Sequence, residues 1–175
     1  MALGTSILKT ILNVNNIIID DIQNFNDDKG CLHIDIYVRP YKKDANCCPI
    51  CGRKCSPYDQ PHKDYRSWRA LDWNGVIINL KAQTHRIECP EHGILTASVP
   101  WAYPHSKFTR DFDRMVTWLA LQLSKSAVSE LMRIDWETVG NCIKRAHKDI
   151  EPDVSQRLDG LVRIGIDENL LQERT

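Results

Sequence analysis

Two short stretches decide how this chain is read: Cys48-Pro49-Ile50-Cys51-Gly52 and Cys89-Pro90-Glu91-His92-Gly93. Each sets two soft ligands two residues apart, with Pro after the first ligand and Gly after the second. That spacing lets a tight turn aim both side chains at one point. The Gly supplies a positive φ where the chain leaves the turn. Two such hooks provide the four ligands of a closed tetrahedral Zn²⁺ site, so the expected ligands are Cys48, Cys51, Cys89 and His92. A lone C-x-x-C is shared with redox motifs, whereas the pairing points to metal. The plainer alternative is a set of buried, unligated cysteines. Cys47 and Cys55 are rival ligands for the first hook. Cys31, in a strand pattern, and Cys142, in a helix pattern, read as small buried residues.

The hooks lie far apart, with thirty-seven residues between Cys51 and Cys89. An insert with a sheet-like pattern must bring them together. At 175 residues, 42% hydrophobic and 26% charged, the chain has the composition of a soluble globular protein of one domain or two small ones. Its zero formal charge is unevenly spread. Residues 1–38 carry −3, residues 39–92 carry +4, residues 93–150 carry +2, and residues 151–175 carry −3. A basic middle fits either a solvated surface or contact with a polyanion. No secretory signal is expected at the N-terminus, and no stretch reaches the roughly 18 apolar residues of a membrane span. Cysteines at metal-ligand spacing suit a reducing cytoplasm.

Ile7, Leu8, Ile11 and Leu12 predict an amphipathic helix over residues 5–13. A strand from Ile17 to Phe25 follows, then a turn over residues 26–30. Leu32, Ile34, Ile36 and Val38 alternate with polar neighbours as a half-buried strand. Residues 54–65 read as loop. Another extended stretch begins at Arg66, Asn74-Gly75 marks a hairpin-type turn, and Ile77 to Ile87 delivers Cys89. Arg66, Arg69, Lys81 and Arg86 interleave with Trp68 and Trp73. That mixture suits nucleic acid, but packing beside a metal is the favoured role. Val99-Pro100-Trp101-Ala102-Tyr103-Pro104 reads as an extended linker, because two prolines disfavour helix.

From Thr109 the apolar period becomes helical: Phe112, Met115, Val116, Leu119, Ala120 and Leu123 share a face, with Thr109 as N-cap. A short helix over 126–132, with Ala127, Val128 and Leu131 apolar, precedes a turn at Arg133-Ile134. A longer helix then runs to about Ile150, with Val139, Cys142, Ile143 and Ala146 on its core side. This is the helix-turn-helix pattern, although a plain three-helix bundle has the same outline. Thr138, Asn141 and Arg145 are the candidate base readers; Lys125, Arg133, Lys144 and Lys148 are the candidate phosphate contacts. Leu161 to Glu168 reads as a strand ending on two carboxylates, which could hold one Mg²⁺ but is not a two-metal site.

Taken together, the Cys48 hook, Trp68-Arg69-Ala70-Leu71-Asp72, the Arg86 to Gly93 run, Val99-Pro100-Trp101-Ala102, Phe108-Thr109-Arg110, Ser124-Lys125 and Trp136-Glu137-Thr138-Val139-Gly140 resemble bacterial insertion-sequence transposases of the ISL-three family. The resemblance covers nearly the whole chain. It implies a zinc finger and a helix-turn-helix that recognise terminal inverted repeats on double-stranded DNA. It also implies a following DDE catalytic domain of RNase H-like fold that uses a divalent metal such as Mg²⁺. Gly165-Ile166-Asp167-Glu168 matches the first strand of that domain, so Asp167 is the implied first catalytic acid. The family continues for a few hundred residues beyond Thr175. The tail after Glu168 also departs from the family's wording, which runs close to Glu-Thr-Ser-Tyr-Lys-Arg-Gly-His. One inserted A after the Glu codon turns codons for that phrase into codons for this tail, so a frameshift is the expected origin of the ending.

The expected fold is α+β. It comprises an N-terminal helix and β-hairpin (1–45), a small β-rich zinc-binding domain (46–100), a three-helix helix-turn-helix domain (101–155), and one strand of a truncated RNase H-like domain (156–175). The expected function is sequence-specific binding to transposon ends in the bacterial cytoplasm at the nucleoid, without catalysis by this chain alone. A homo-oligomer or a mixed oligomer with full-length transposase is the expected assembly, and no membrane partner is expected. The alternative is a zinc-ribbon module that binds protein.

Overall fold

A computed structural model describes residues 2–150 as an α+β fold. Helix α1 (Ala2–Ile11) leads into β1 (Ile17–Asn26) and β2 (Leu32–Pro40). Then come β3 (Ser56–Pro57), β4 (Tyr65–Arg69), β5 (Ile77–Gln83), β6 (Arg86–Cys89) and β7 (Gly93–Thr96). Three helices follow: α2 (Arg110–Ala120), α3 (Lys125–Met132) and α4 (Trp136–Ile150).

The strands form two sheets. The larger has the order β1-β2-β5-β4, and the smaller has the order β3-β6-β7. In the larger, β1 and β2 are an antiparallel hairpin, with Asp27 Oδ1 accepting from the N–H groups of Lys29 and Cys31 in its turn. β4 and β5 pair antiparallel around the Asn74-Gly75 turn, whose two residues have φ of 51° and 83°. Only a residue that tolerates positive φ at both positions closes so short a turn. β2 and β5 run parallel, from His33 beside Ile77 to Tyr37 beside Lys81. Parallel neighbours need a long connection. Here it is residues 41–76, which carry the first hook, β3 and β4. The expected division at residue 45 therefore falls inside one sheet, because β2 hydrogen-bonds to β5 across it.

One face of this sheet is the first core. Ile36 and Val38 of β2, Trp68 of β4, and Ile78, Leu80 and Ala82 of β5 are buried, joined by Ile17, Leu12 and Val14. Trp101 and Ala102 belong to the same core, each 2% exposed. The Trp101 ring meets Trp68 edge-on, with centroids 5.5 Å apart. Residues 99–104 are thus not a plain linker. The prolines keep the segment out of a helix, but the indole's apolar area is reason enough for burial. On the other face, Asp35 is buried, accepting from Asn79 Nδ2 at 2.9 Å and pairing with Lys81 at 3.3 Å.

A second core lies among the helices: Phe112, Val116, Val128, Val139 and Cys142, flanked by Leu71 and Phe108 from the sheet side. Thr109 caps α2 and Ser124 caps α3, each side chain accepting from the backbone N–H of the third residue of its helix, Phe112 and Ala127. Met115, Leu123, Ala127 and Leu131 stay exposed, although periodicity placed them on core faces. Three short helices offer only a narrow shared seam, so the edge of each apolar stripe is left in water. Strand β7 and the two-residue β3 were also missed by pattern, since neither is long enough to show a period.

Candidate metal centre and nucleic-acid interface

The first hook is a knuckle closed by its own backbone. Cys48 N–H donates to the Arg53 carbonyl at 2.8 Å, and Gly52 N–H donates to the Cys48 carbonyl at 3.0 Å. Gly52 takes φ of 70°, a conformation that disfavours any side chain. The second hook is the turn between β6 and β7, where Cys89 pairs with Gly93 across the ladder. Arg53 and Glu91 then bind across the two hooks at 2.6 Å.

This arrangement brings one donor atom from each of Cys48, Cys51, Cys89 and His92 within 4.8 Å of all the others. Cys51 Sγ lies 3.8 Å from Cys89 Sγ. His92 Nδ1 lies 3.8 Å from Cys48 Sγ and 3.5 Å from Cys89 Sγ. A tetrahedron with zinc–sulfur bonds of about 2.3 Å and a zinc–nitrogen bond of about 2.0 Å has edges of roughly 3.8 Å between sulfurs and 3.5 Å between sulfur and nitrogen. The donor set therefore fits a tetrahedral metal ion. Each rival thiol also meets a backbone carbonyl. Cys47 Sγ faces the Ala45 carbonyl at 3.7 Å, and Cys55 Sγ faces the Arg53 carbonyl at 3.3 Å. Cys55 does pack against Cys48, Ile87 and Cys89, forming the floor beneath the donors.

The electrostatics favour a ligand at Cys89. Burial opposes its ionisation, but the backbone N–H groups of Glu91 and His92 donate to the sulfur and bring the thiol down to about 7. At Cys51 the Arg53 N–H favours the thiolate, while burial and the neighbouring Cys48 and Cys89 push the thiol up overall. Bringing such thiolates together is unfavourable without a cation among them. Cys142 is different: burial drives its thiol far up, and it serves as a small core residue of α4.

The second candidate surface is α4. Val139, Cys142 and Ala146 are fully buried on one side, and Glu137, Asn141 and Lys144 are exposed at spacings of four and three residues on the other. Thr138 is half-buried at the margin. Arg133 closes α3 in the left-handed conformation, φ 53°, so the chain reverses into α4. Lys125 Nζ sits 4.2 Å from the centre of the exposed Trp136 ring. Lys148 lies on α4, but its side chain is outside the described residues, as is Asp167.

Two of the expected DNA contacts have internal partners. Arg145 turns inward: its Nε and Nη2 donate to Asp113 at 3.0 and 2.7 Å, and Asp113 is 0% exposed. Ser106 Oγ donates to the same carboxylate at 2.8 Å. Arg133 pairs with Asp72, which also binds Arg69 at 3.0 Å, and Arg69 Nη1 donates to the Arg133 carbonyl at 3.1 Å. The Trp68-Arg69-Ala70-Leu71-Asp72 stretch is thus the joint between sheet and helices. Sequence reasoning missed Asp113, Ser106 and Asp72. The signal for Asp113 was present, since an acid on the apolar face of a helix requires a buried partner.

Residues 97–147 match the family model for the helix-turn-helix domain of transposase family ISL3. A transposase for insertion sequence element IS1557 from Mycobacterium tuberculosis is 44% identical over 152 residues, in strain CDC 1551 / Oshkosh and equally in strain ATCC 25618 / H37Rv. That alignment covers 86% of this chain and 34% of the transposase, so the chain spans about a third of the length of these relatives. No solved structure matches the chain significantly.

Proposed function

Since residues 97–147 match the family model for the helix-turn-helix domain of transposase family ISL3, we propose that this chain is the DNA-recognising part of an insertion-sequence transposase. The observation that carries this is the division of α4: its apolar side is locked into the second core and its polar side, Asn141 and Lys144 included, faces solvent. A helix held in this way can enter a major groove with its outer stripe against base edges. Asn141 reads a base, with Thr138 at the margin. Lys144, Lys148 and Lys125 meet phosphates. Arg145 is reassigned from base reading to anchoring α4 on Asp113.

Cys48, Cys51, Cys89 and His92 hold one structural zinc ion. Bound there, the ion would fix the β6–β7 turn against the first hook and so stiffen the lobe beside the helices. The DNA target is the terminal inverted repeat of a mobile element. A homo-oligomer, or a mixed oligomer with a longer transposase, would bridge two such ends in the bacterial nucleoid. Cutting and joining would need the acids of a catalytic domain with Mg²⁺, of which Asp167 is the candidate first member.

Selection of duplexes from a random pool by the zinc-loaded chain tests the reading. A recovered consensus, footprinted across about one helical turn or more, is expected. Recovery of unrelated sequences with equal affinity would refute it. One observation favours a second reading, a protein-binding module: Trp118 and Leu131 stand 53% and 60% exposed on α2 and α3. DNA binding that does not weaken with salt would favour that reading, because phosphate neutralisation makes affinity fall as salt rises.

A further inference from the structure

A groove of about 590 Å³ runs between the hooks and the segment that leads into α2. Its lining includes Ile50 of the first hook, Ile94 of β7, Arg66 and Trp68 of β4, Arg86 of β6, and His105. Its lining residues include no Asp or Glu. Of the two arginines that line it, Arg86 is neutralised by Asp59. Arg66 has no ion pair among the described residues. It is exposed, and its guanidinium lies over the Trp68 ring at 5.4 Å. The stacked ring orders the side chain without cancelling its charge.

We propose that this groove holds the sugar–phosphate backbone of duplex DNA, as a second contact alongside α4. The inference rests on the function proposed above. Apolar walls around an unneutralised cation focus its field on an anionic occupant. A single free cation is too little for a small polyphosphate, yet it suits one phosphate in a backbone that is held elsewhere as well. The groove is also fixed relative to α4. Its wall at Ser106 hydrogen-bonds to Asp113, which holds Arg145 of α4. The two contacts would therefore engage one duplex as a unit. Arg66 would add affinity and set the docking angle, while Asn141 would carry the sequence preference.

The test uses the full zinc-loaded chain and the duplex it selects from a random pool. Dissociation constants are measured between 50 and 200 mM KCl for the unmodified chain, Arg66→Gln and Arg66→Lys. Arg66→Gln is expected to lower the slope of log affinity against log salt by about 1 and to weaken binding roughly fivefold to tenfold near 0.1 M salt. A hydroxyl-radical footprint should lose protection over one backbone stretch, with the ranking of base preferences unchanged. Arg66→Lys should keep the slope. Asn141→Ala should alter the ranking and leave the footprint length intact. An unchanged slope and footprint in Arg66→Gln would overturn the groove contact, as would Arg66→Lys behaving like Arg66→Gln. A flat salt dependence in the unmodified chain would instead overturn the function proposed above, which separates the two failures.

Discussion

The Arg145–Asp113 pair gives the sharpest test of how α4 is held. Asp113 is fully buried and accepts three hydrogen bonds, two from Arg145 and one from Ser106. The Arg145 side chain keeps 20% of its surface exposed. Removing one member of a buried pair costs about 3–5 kcal/mol, because the other is left charged and unpartnered. Asp113→Leu should fall near the lower figure, about 3 kcal/mol, since the stranded guanidinium can still reach water. Arg145→Met should cost about 4–5 kcal/mol, because the stranded carboxylate cannot. The double variant Asp113→Leu/Arg145→Met should lie within about 2 kcal/mol of the unmodified chain, since replacing both charges by packed apolar groups is often close to neutral. Urea unfolding in zinc-containing buffer reads all four free energies. The cycle should give a coupling of at least about 5 kcal/mol. Single costs that add to the double within about 0.5 kcal/mol would refute the pairing. The double variant should also keep the sequence preference of the unmodified chain. A preference lost at one base position would mean that Arg145 reads DNA after all.

Four further outcomes follow from the same geometry. Elemental analysis should find about one zinc per chain; chelation should lower the melting temperature, and His92→Ala should weaken metal retention, whereas a metal-free chain with an unchanged melting curve would remove the basis for the centre. Asn141→Ala should cost about 1–3 kcal/mol on the preferred duplex and almost nothing on random DNA, measured by competition binding. Trp101→Ala should destabilise the chain by about 3–5 kcal/mol, through the cavity left against Trp68; a loss under 1 kcal/mol would restore residues 99–104 to a linker. Asp149 is held below the usual carboxylate range, first by the Tyr103 hydroxyl and then by Arg114. Its folded value lies below its unfolded one, so the stability it contributes is present above about pH 4 and is lost as pH falls through the folded value. Asp149→Asn should therefore flatten the acid limb of the stability–pH curve, and an unaltered limb would contradict it.

The elements legible in the sequence were those written in local spacing. Three turns of periodic apolar residues announced α2 and α4, and the two hooks announced the four donors that the structure brings together. What escaped was pairing between distant residues. Nothing near His33 says that it lies beside Ile77, so the parallel β2–β5 ladder could not be read from either strand. Arg145 looked like a base reader because a helical projection shows where a side chain leaves its own helix, not that Asp113 waits on the next one. Arg69 was read as packing beside a metal and Asp72 was given no partner, because the groups that occupy them, Phe112 and Arg133, are forty residues or more downstream. Trp101 was hidden by its neighbouring prolines, which speak only about backbone conformation.

The parallel β2–β5 ladder also sets an order of events at the ribosome. The first hook lies in the excursion between those strands, and Cys51 leaves the exit tunnel 38 residues ahead of Cys89. At about 5–20 residues per second that is a wait of roughly 2–8 s. During it, Cys47, Cys48, Cys51 and Cys55 stand within nine residues of one another with no second hook yet made. The nascent chain thus exposes a four-thiol cluster of its own before the mature partners exist. Of the four, the folded chain brings Cys48 and Cys51 within 4.8 Å of the donor atoms of Cys89 and His92.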